Sequence, residues 1–321
     1  MNFNFILQQM EKNSISDKFA KILSDFYKSY KGAALISEAE LARLFKTFLS
    51  LMKEQLKNPY EFAPFHKQIR APFDYYTFGL DFVRPIIDLE HSSVLGKESL
   101  AQIKGYLKAG HNVVLLSNHQ TEADPQAISV LEPELGEKMI YVAGERVITD
   151  PMAVPFSMGC NLLCIYSKRY IDNPPELKLQ KQLHNKKTME LMSELLKEGG
   201  KCIYVAPSGG RDRRNEEGII EVASFDPQSI EMFYLMAKRA KTPTHFFTLS
   251  LRTYDLLPPP ETIQVELGEE RKAKRAGVHL YFGKEIDMES FPVGDKHLRR
   301  EKRSTFIYEQ VKSNYKKLGG P

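Results

Sequence analysis

The chain has 321 residues, 42% hydrophobic and 27% charged, the balance of a globular protein able to bury a sizeable core rather than of a disordered one. Its formal charge of +4 does not argue for nucleic-acid binding, though it suits an acidic partner or a phosphorylated substrate. Three cysteines, Cys160, Cys164 and Cys202, are too few and too unevenly spaced for a disulfide framework, so they read as reduced, buried thiols of a cytosol-like compartment.

At the amino end, Met1 to Gln8 lacks a basic region leading into a long apolar core. Glu11, Asp17 and Asp25 come too early for a transit peptide. No run of about 18 apolar residues predicts a transmembrane helix, so membrane contact is expected to be peripheral at most. Phe19, Ile22, Leu23, Phe26, Tyr27 and Tyr30 recur at helical spacing, and Ser37 with Glu40 forms a capping box for a second helix. Its stripe runs through Leu41, Leu44, Phe45, Phe48, Leu49, Met52 and Leu56. Prolines and aromatics from Asn58 to His66, with Pro72 and Pro85 beyond, break the pattern and mark a boundary.

After that boundary short apolar strands alternate with helices, the signature of an α/β sheet. Strands are predicted at 111–117, 162–166, 201–206, 245–250 and 278–282, and helices at 187–197, 229–241 and, on the surface, 297–317. The expected architecture is α/β. A small helical bundle spans residues 1–75, and a catalytic domain spans 76–321, with a mixed, mostly parallel sheet flanked by helices.

Three stretches carry chemistry. Ser117-Asn118-His119-Gln120-Thr121-Glu122-Ala123-Asp124-Pro125 follows a buried strand, the position where α/β proteins build sites. Asp124 is expected at an N-cap and Pro125 in the first helical position. From there the Asp124 carboxylate can reach His119, fix its tautomer and stabilise its imidazolium, as in a serine-hydrolase triad. No GxSxG elbow supplies a serine, so the substrate would bring its own hydroxyl. The plain alternative is a histidine bonded to turn backbone beside a capping aspartate.

The second stretch is Ala206-Pro207-Ser208-Gly209-Gly210-Arg211-Asp212-Arg213-Arg214. Its glycines let the backbone approach an anion, and Arg211 and Arg213 match phosphate oxygens. It fits equally a glycine turn whose arginines pair with Asp212, Glu216 or Glu217. The third, Tyr166-Ser167-Lys168-Arg169, ends another strand. Parallel strands would bring all three to one edge, making a cationic pocket with one base.

Together these stretches resemble the glycerolipid acyltransferases with an HxxxxD block, and in particular the soluble, plastid-type glycerol-3-phosphate 1-O-acyltransferases. The similarity also takes in Asn58-Pro59 with Phe65-His66, Pro72-Phe73-Asp74-Tyr75-Tyr76, Arg146-Val147 with Thr149-Asp150-Pro151, Phe156-Ser157-Met158-Gly159, Thr242-Pro243-Thr244 and Pro258-Pro259-Pro260. It implies His119 and Asp124 as the catalytic pair, with Lys168, Arg169, Arg211 and Arg213 binding glycerol 3-phosphate. Ser208, Gly209 and Gly210 would support the phosphate loop. An acyl-carrier-protein or coenzyme A thioester would be the donor, with no metal, cofactor or nucleic acid involved. The chain departs from the plant members at Arg169, where they carry a histidine.

The implied compartment is the cytoplasm, or the plastid stroma for a mature plant chain. Met152, Phe156, Met158, Leu162 and Leu163 are candidates either for an acyl trough or for ordinary core. The run Arg271-Lys272-Ala273-Lys274-Arg275 suits a carrier-docking patch or a solvated loop. Two rival functions remain: acylation of the monoacyl product at its second position, and a non-catalytic module for anionic lipid or nucleic acid.

Overall fold

The computed structural model describes residues 17–168, 171–260, 269–291 and 294–320, so the amino-terminal stretch before residue 17 lies outside it. Helix α1 (Asp17–Ala33) turns Leu23, Phe26 and Tyr30 inward, and α2 (Glu38–Lys57) answers with Leu44, Phe45, Phe48 and Met52. Ser37 caps α2, accepting the Glu40 N–H at 3.2 Å. The expected stripe ends early. Leu56 is exposed, and the buried position beside it belongs to Gln55, which donates to the Ile148 carbonyl at 3.1 Å and accepts the Tyr60 N–H at 3.0 Å.

Helix α3 (Tyr75–Val83) completes this layer. Phe82 packs against Phe26, Tyr30, Phe45 and Phe48, and the Tyr30 hydroxyl donates to its carbonyl at 2.7 Å. Burying such a ring fully contributes about 1.5–3 kcal/mol. Phe156 closes on Phe48 and Phe82 from the far side, so the helical layer shares its core with the segment around residues 152–156.

The remaining chain builds an eight-stranded sheet. Its strands are β1 (Phe65–His66), β2 (Ser93–Leu95), β3 (Asn112–Ser117), β4 (Met139–Ala143), β5 (Asn161–Cys164), β6 (Cys202–Val205), β9 (Thr244–Arg252) and β10 (His279–Glu285). A separate two-stranded ribbon holds β7 (Arg213–Arg214) and β8 (Ile220–Glu221). The sheet order is β1-β5-β4-β6-β3-β9-β10-β2. Strands β5, β4, β6, β3 and β9 run parallel, while β1 and β10 join antiparallel at either side. The sheet is thus mixed and mostly parallel, as the alternating pattern predicted.

Central β3 is buried at all six positions, so its alternate residues face two cores. Val113 and Leu115 pack with Leu100 and Ile103 of α4 (Lys97–Lys108) and Ile128 of α5 (Asp124–Leu131). Val114 and Leu116 meet Leu196 of α6 (Lys178–Glu198), Phe233 of α7 (Pro227–Ala240) and Val311 of α8 (Lys296–Lys317). Helix α8 is therefore a covering helix rather than a purely surface one: Ile307, Val311 and Tyr315 are buried beneath its charged outer face.

Met152 and Phe156 belong to the helical layer's core, Met158 and Leu162 to one sheet face, and Leu163 to the other. Those five residues lie in three clusters rather than along one trough. No helix of the described residues is long and apolar enough to cross a membrane.

Candidate active site

Five parallel strands end on one edge, and the segments that follow them converge there. The turn after β3 is held on every side. Asn118 donates to the Leu251 carbonyl at 2.9 Å and accepts the Leu251 N–H at 2.8 Å. The Asn118 carbonyl takes the Tyr204 hydroxyl at 2.7 Å. Gln120 accepts the N–H groups of Thr253 and Tyr254 at 2.7 and 3.0 Å. The turn is thereby tied to strands β6 and β9.

Inside it, His119 Nδ1 lies 2.7 Å from Asp124 Oδ2. The Asp124 carboxylate is buried at 1% exposure, whereas the His119 side chain keeps 30%. Asp124 also accepts the Gln120 N–H at 2.9 Å, the Thr121 N–H at 3.3 Å and the Thr253 hydroxyl at 2.6 Å. Two backbone N–H groups and a hydroxyl thus donate to its two oxygens, so what the carboxylate offers the imidazole is an acceptor. The imidazole therefore presents its Nδ1–H to Asp124 and leaves Nε2 as the acceptor. Asp124 is one residue further into α5 than expected: Ala123 is the N-cap and the carboxylate faces back into the turn.

The loop after β6 docks on the same turn, with the Asp212 N–H donating to the His119 carbonyl at 2.7 Å. The Asp212 carboxylate accepts Asn118 at 2.8 Å, Gln120 at 3.1 Å and the Ala223 N–H at 2.9 Å. Burial pushes its pKa up to about 6 against those three hydrogen bonds. All three partners donate, so the carboxylate is the form that the arrangement accommodates at neutral pH.

This has a measurable consequence. A folded-state pKa raised from 3.8 to about 6 means that the group's contribution to stability is fully present below about pH 4 and lost as pH rises through about 6. The shift corresponds to about 3 kcal/mol. Asp212→Asn should remove that slope. Chemical denaturation is expected to show the variant gaining on the parent between pH 4 and 6 and running parallel above about pH 7. The misplaced amide adds only a pH-independent offset.

Gly209 sits in the left-handed region at φ 63°, with open space where a Cβ would be, and Ser208 Oγ donates to the Gly210 carbonyl at 2.9 Å. Arg211 does not pair with Asp212, Glu216 or Glu217. It hydrogen-bonds Glu269 through Nη2 and faces Glu122 at 3.9 Å through Nη1. Arg213 donates to the Pro260 carbonyl. Lys168 contacts Asp226 at 2.7 Å and Gln228 at 3.1 Å, and the Asp226 N–H bonds the Pro207 carbonyl at 3.2 Å. Lys168 therefore reaches the glycine loop through Asp226. Burial raises the Asp226 pKa, but Lys168, Ser229 and the Gln228 N–H together hold it below the ordinary range. Arg169 lies outside the described residues.

Hydrogen bonds tie the His119–Asp124 turn to the arginine loop, and that loop in turn to Lys168 through Asp226. The cations already hold internal acceptors, so an incoming anion must compete with Glu269 and Asp226. Reading the sequence missed Asp212, Thr253, Glu122, Asp150 and Arg271. Arg271, read as part of a docking patch or solvated loop, is 6% exposed and pairs with Glu122 and Asp150. Burial pushes the Glu122 pKa up, yet Arg271 and Arg211 bring it below the usual carboxylate range. Among the described residues no group of histidine, cysteine and carboxylate side chains could hold a metal ion.

A family model described as Acyltransferase matches residues 93–250, which include the His119 turn and the glycine loop. The chain is 38% identical over 328 residues to a chloroplastic glycerol-3-phosphate acyltransferase of Cucurbita moschata, covering 98% of this chain and 73% of that protein. The corresponding enzyme of Arabidopsis thaliana is 36% identical, over 98% of this chain and 71% of its own length. That of Spinacia oleracea is 36% identical, over 98% and 69%.

Proposed function

The chain belongs to the acyltransferase family of the plastid glycerol-3-phosphate acyltransferases, and we propose that it moves a fatty acyl group from a thioester to the sn-1 hydroxyl of glycerol 3-phosphate. The observation that carries the reading is His119, with Nδ1 bound to a buried Asp124 and a side chain that keeps 30% exposure. Nε2 takes the proton of the acceptor's hydroxyl as its oxygen forms a bond to the thioester carbonyl carbon. Asp124 stabilises the imidazolium. The carbon–sulfur bond then breaks, the thiolate takes the proton back from Nε2, and the free thiol and monoacyl glycerol phosphate leave. Lys168, Arg211 and Arg213, together with Arg169, bind the phosphate and so position the hydroxyl.

The donor we propose is an acyl-carrier-protein thioester, with coenzyme A thioesters as substitutes, and the compartment is the cytoplasm or plastid stroma. Three free, buried thiols suit such a reducing space. We also read the helices before residue 75 as a support for the α/β catalytic unit.

The test offers both thioesters with either glycerol 3-phosphate or its monoacyl derivative and analyses the products. Thioester consumption that needs glycerol 3-phosphate is expected. Consumption with the monoacyl acceptor alone would move the assignment to the second position. Arg211→Ala should raise the KM for glycerol 3-phosphate roughly 10–100-fold and leave kcat within a few-fold, since it removes a charge-assisted contact made before the reaction.

A further inference from the structure

Arg271 stands behind the site and joins three segments. Its guanidinium grips Glu122 through Nε at 2.8 Å and Nη2 at 3.1 Å, and takes Asp150 at 3.0 Å. Nη1 donates to the Glu269 carbonyl at 2.9 Å. Glu122 belongs to the His119 turn and is the one carboxylate of this group shared between two guanidiniums. It is hydrogen-bonded to Arg271 but 3.9 Å from Arg211 Nη1, beyond hydrogen-bond reach. Glu269 engages Arg211 through Nη2, so the Nη1 edge is the side that Glu122 would close.

We infer that Arg271 is a positioning residue that holds the Glu122 carboxylate off Arg211 and keeps the Nη1 edge of Arg211 available to an anion. This rests on the reading of Arg211 as a phosphate-binding residue. Without Arg271, the nearest cation for Glu122 is Arg211. The carboxylate would then compete with the acceptor's phosphate, and affinity rather than the chemical step would suffer. A purely structural role for Arg271 makes a different prediction, because removing the Glu122 charge would then restore nothing.

The variants exploit that difference. Arg271→Met with Asp150→Asn leaves Glu122 charged, and a carboxylate that keeps 27% exposure can be solvated while the protein folds, as melting followed by circular dichroism would verify. Adding Glu122→Gln removes only the competing charge. Titration calorimetry with orthophosphate and with glycerol 3-phosphate should show the double variant binding both roughly 30-fold more weakly than the parent. The triple variant should recover most of that loss. Glu122→Gln alone, with Arg271 in place, should bind at least as tightly as the parent, and it supplies the test if the double variant does not fold.

Unchanged affinity in a folded double variant, a triple variant as weak as the double, or weakened binding in Glu122→Gln would overturn the inference. So would a parent that binds neither anion. A parent that binds orthophosphate yet acylates no glycerol 3-phosphate contradicts the proposed reaction alone, and the variants still report on Arg271.

Discussion

His119→Ala is expected to bind glycerol 3-phosphate about as tightly as the parent and to turn it over roughly 10³-fold more slowly, the scale of a lost general base. The reason is positional. The imidazole is the one ring in the turn with a nitrogen committed to a buried carboxylate, which leaves the other to accept a proton. Arg211 holds Glu269 and faces Glu122, Arg213 donates to the Pro260 carbonyl, and Lys168 holds Asp226 and Gln228, so shortening His119 removes none of these contacts. Calorimetry for binding, alongside product formation at saturating substrates, separates the two effects. A variant with near-parental turnover would remove His119 from the mechanism.

Asp124→Asn should lower kcat roughly 10²–10⁴-fold, with little change in shape. If the amide nitrogen takes the Oδ2 position, it opposes the Gln120 N–H and drives His119 into the tautomer with Nε2 protonated, which cannot serve as the base. If it takes the Oδ1 position, the Thr253 hydroxyl can turn to accept, and the tautomer survives. The negative charge opposite the imidazolium is lost in either case. A donor left without an acceptor costs about 1–3 kcal/mol, so a lower melting temperature accompanies the kinetic defect. Parental kcat in Asp124→Asn would reduce Asp124 to a turn-former.

Much of the fold was legible because its elements carry strong local signals. Ser37 with Glu40 announces α2, and the unbroken apolar run of β3 announces a strand buried on both faces. Strand β4 was not among the predicted strands, although Met139 to Ala143 is as apolar as β5 and β6 and one residue longer. Gln55 was left out of the stripe since periodicity weighs apolar side chains, while its burial depends on partners at Ile148 and Tyr60 that are distant or outside the helix.

The candidate site divides along the same line. His119, Asp124, Lys168 and Arg211 follow strands, so the expectation of parallel strands was enough to suggest one edge. Arg271 looked like one charge among four because its neighbours Lys272 and Lys274 are indeed exposed. Only the fold places it 121 positions away from Asp150 in sequence and 3.0 Å away in space. Thr253 carries no signal beyond its place at the end of β9. Asp212, inside a stretch already singled out, looked like a salt-bridge partner for arginine, but its burial gives it amide partners instead.

The central claim is that the imidazole activates the acceptor's own hydroxyl, so that the acyl group passes directly from thioester to alcohol. The thiols of Cys160, Cys164 and Cys202 are buried and pushed up to about 12, which disfavours them as acyl carriers. The decisive measurement is a rapid-quench single turnover with excess protein over acyl thioester, followed by intact-protein mass analysis, with and without glycerol 3-phosphate. An unmodified protein mass throughout is expected, with thioester loss only when the acceptor is present. An acyl adduct on the protein, formed without the acceptor and discharged when it is added, would contradict it.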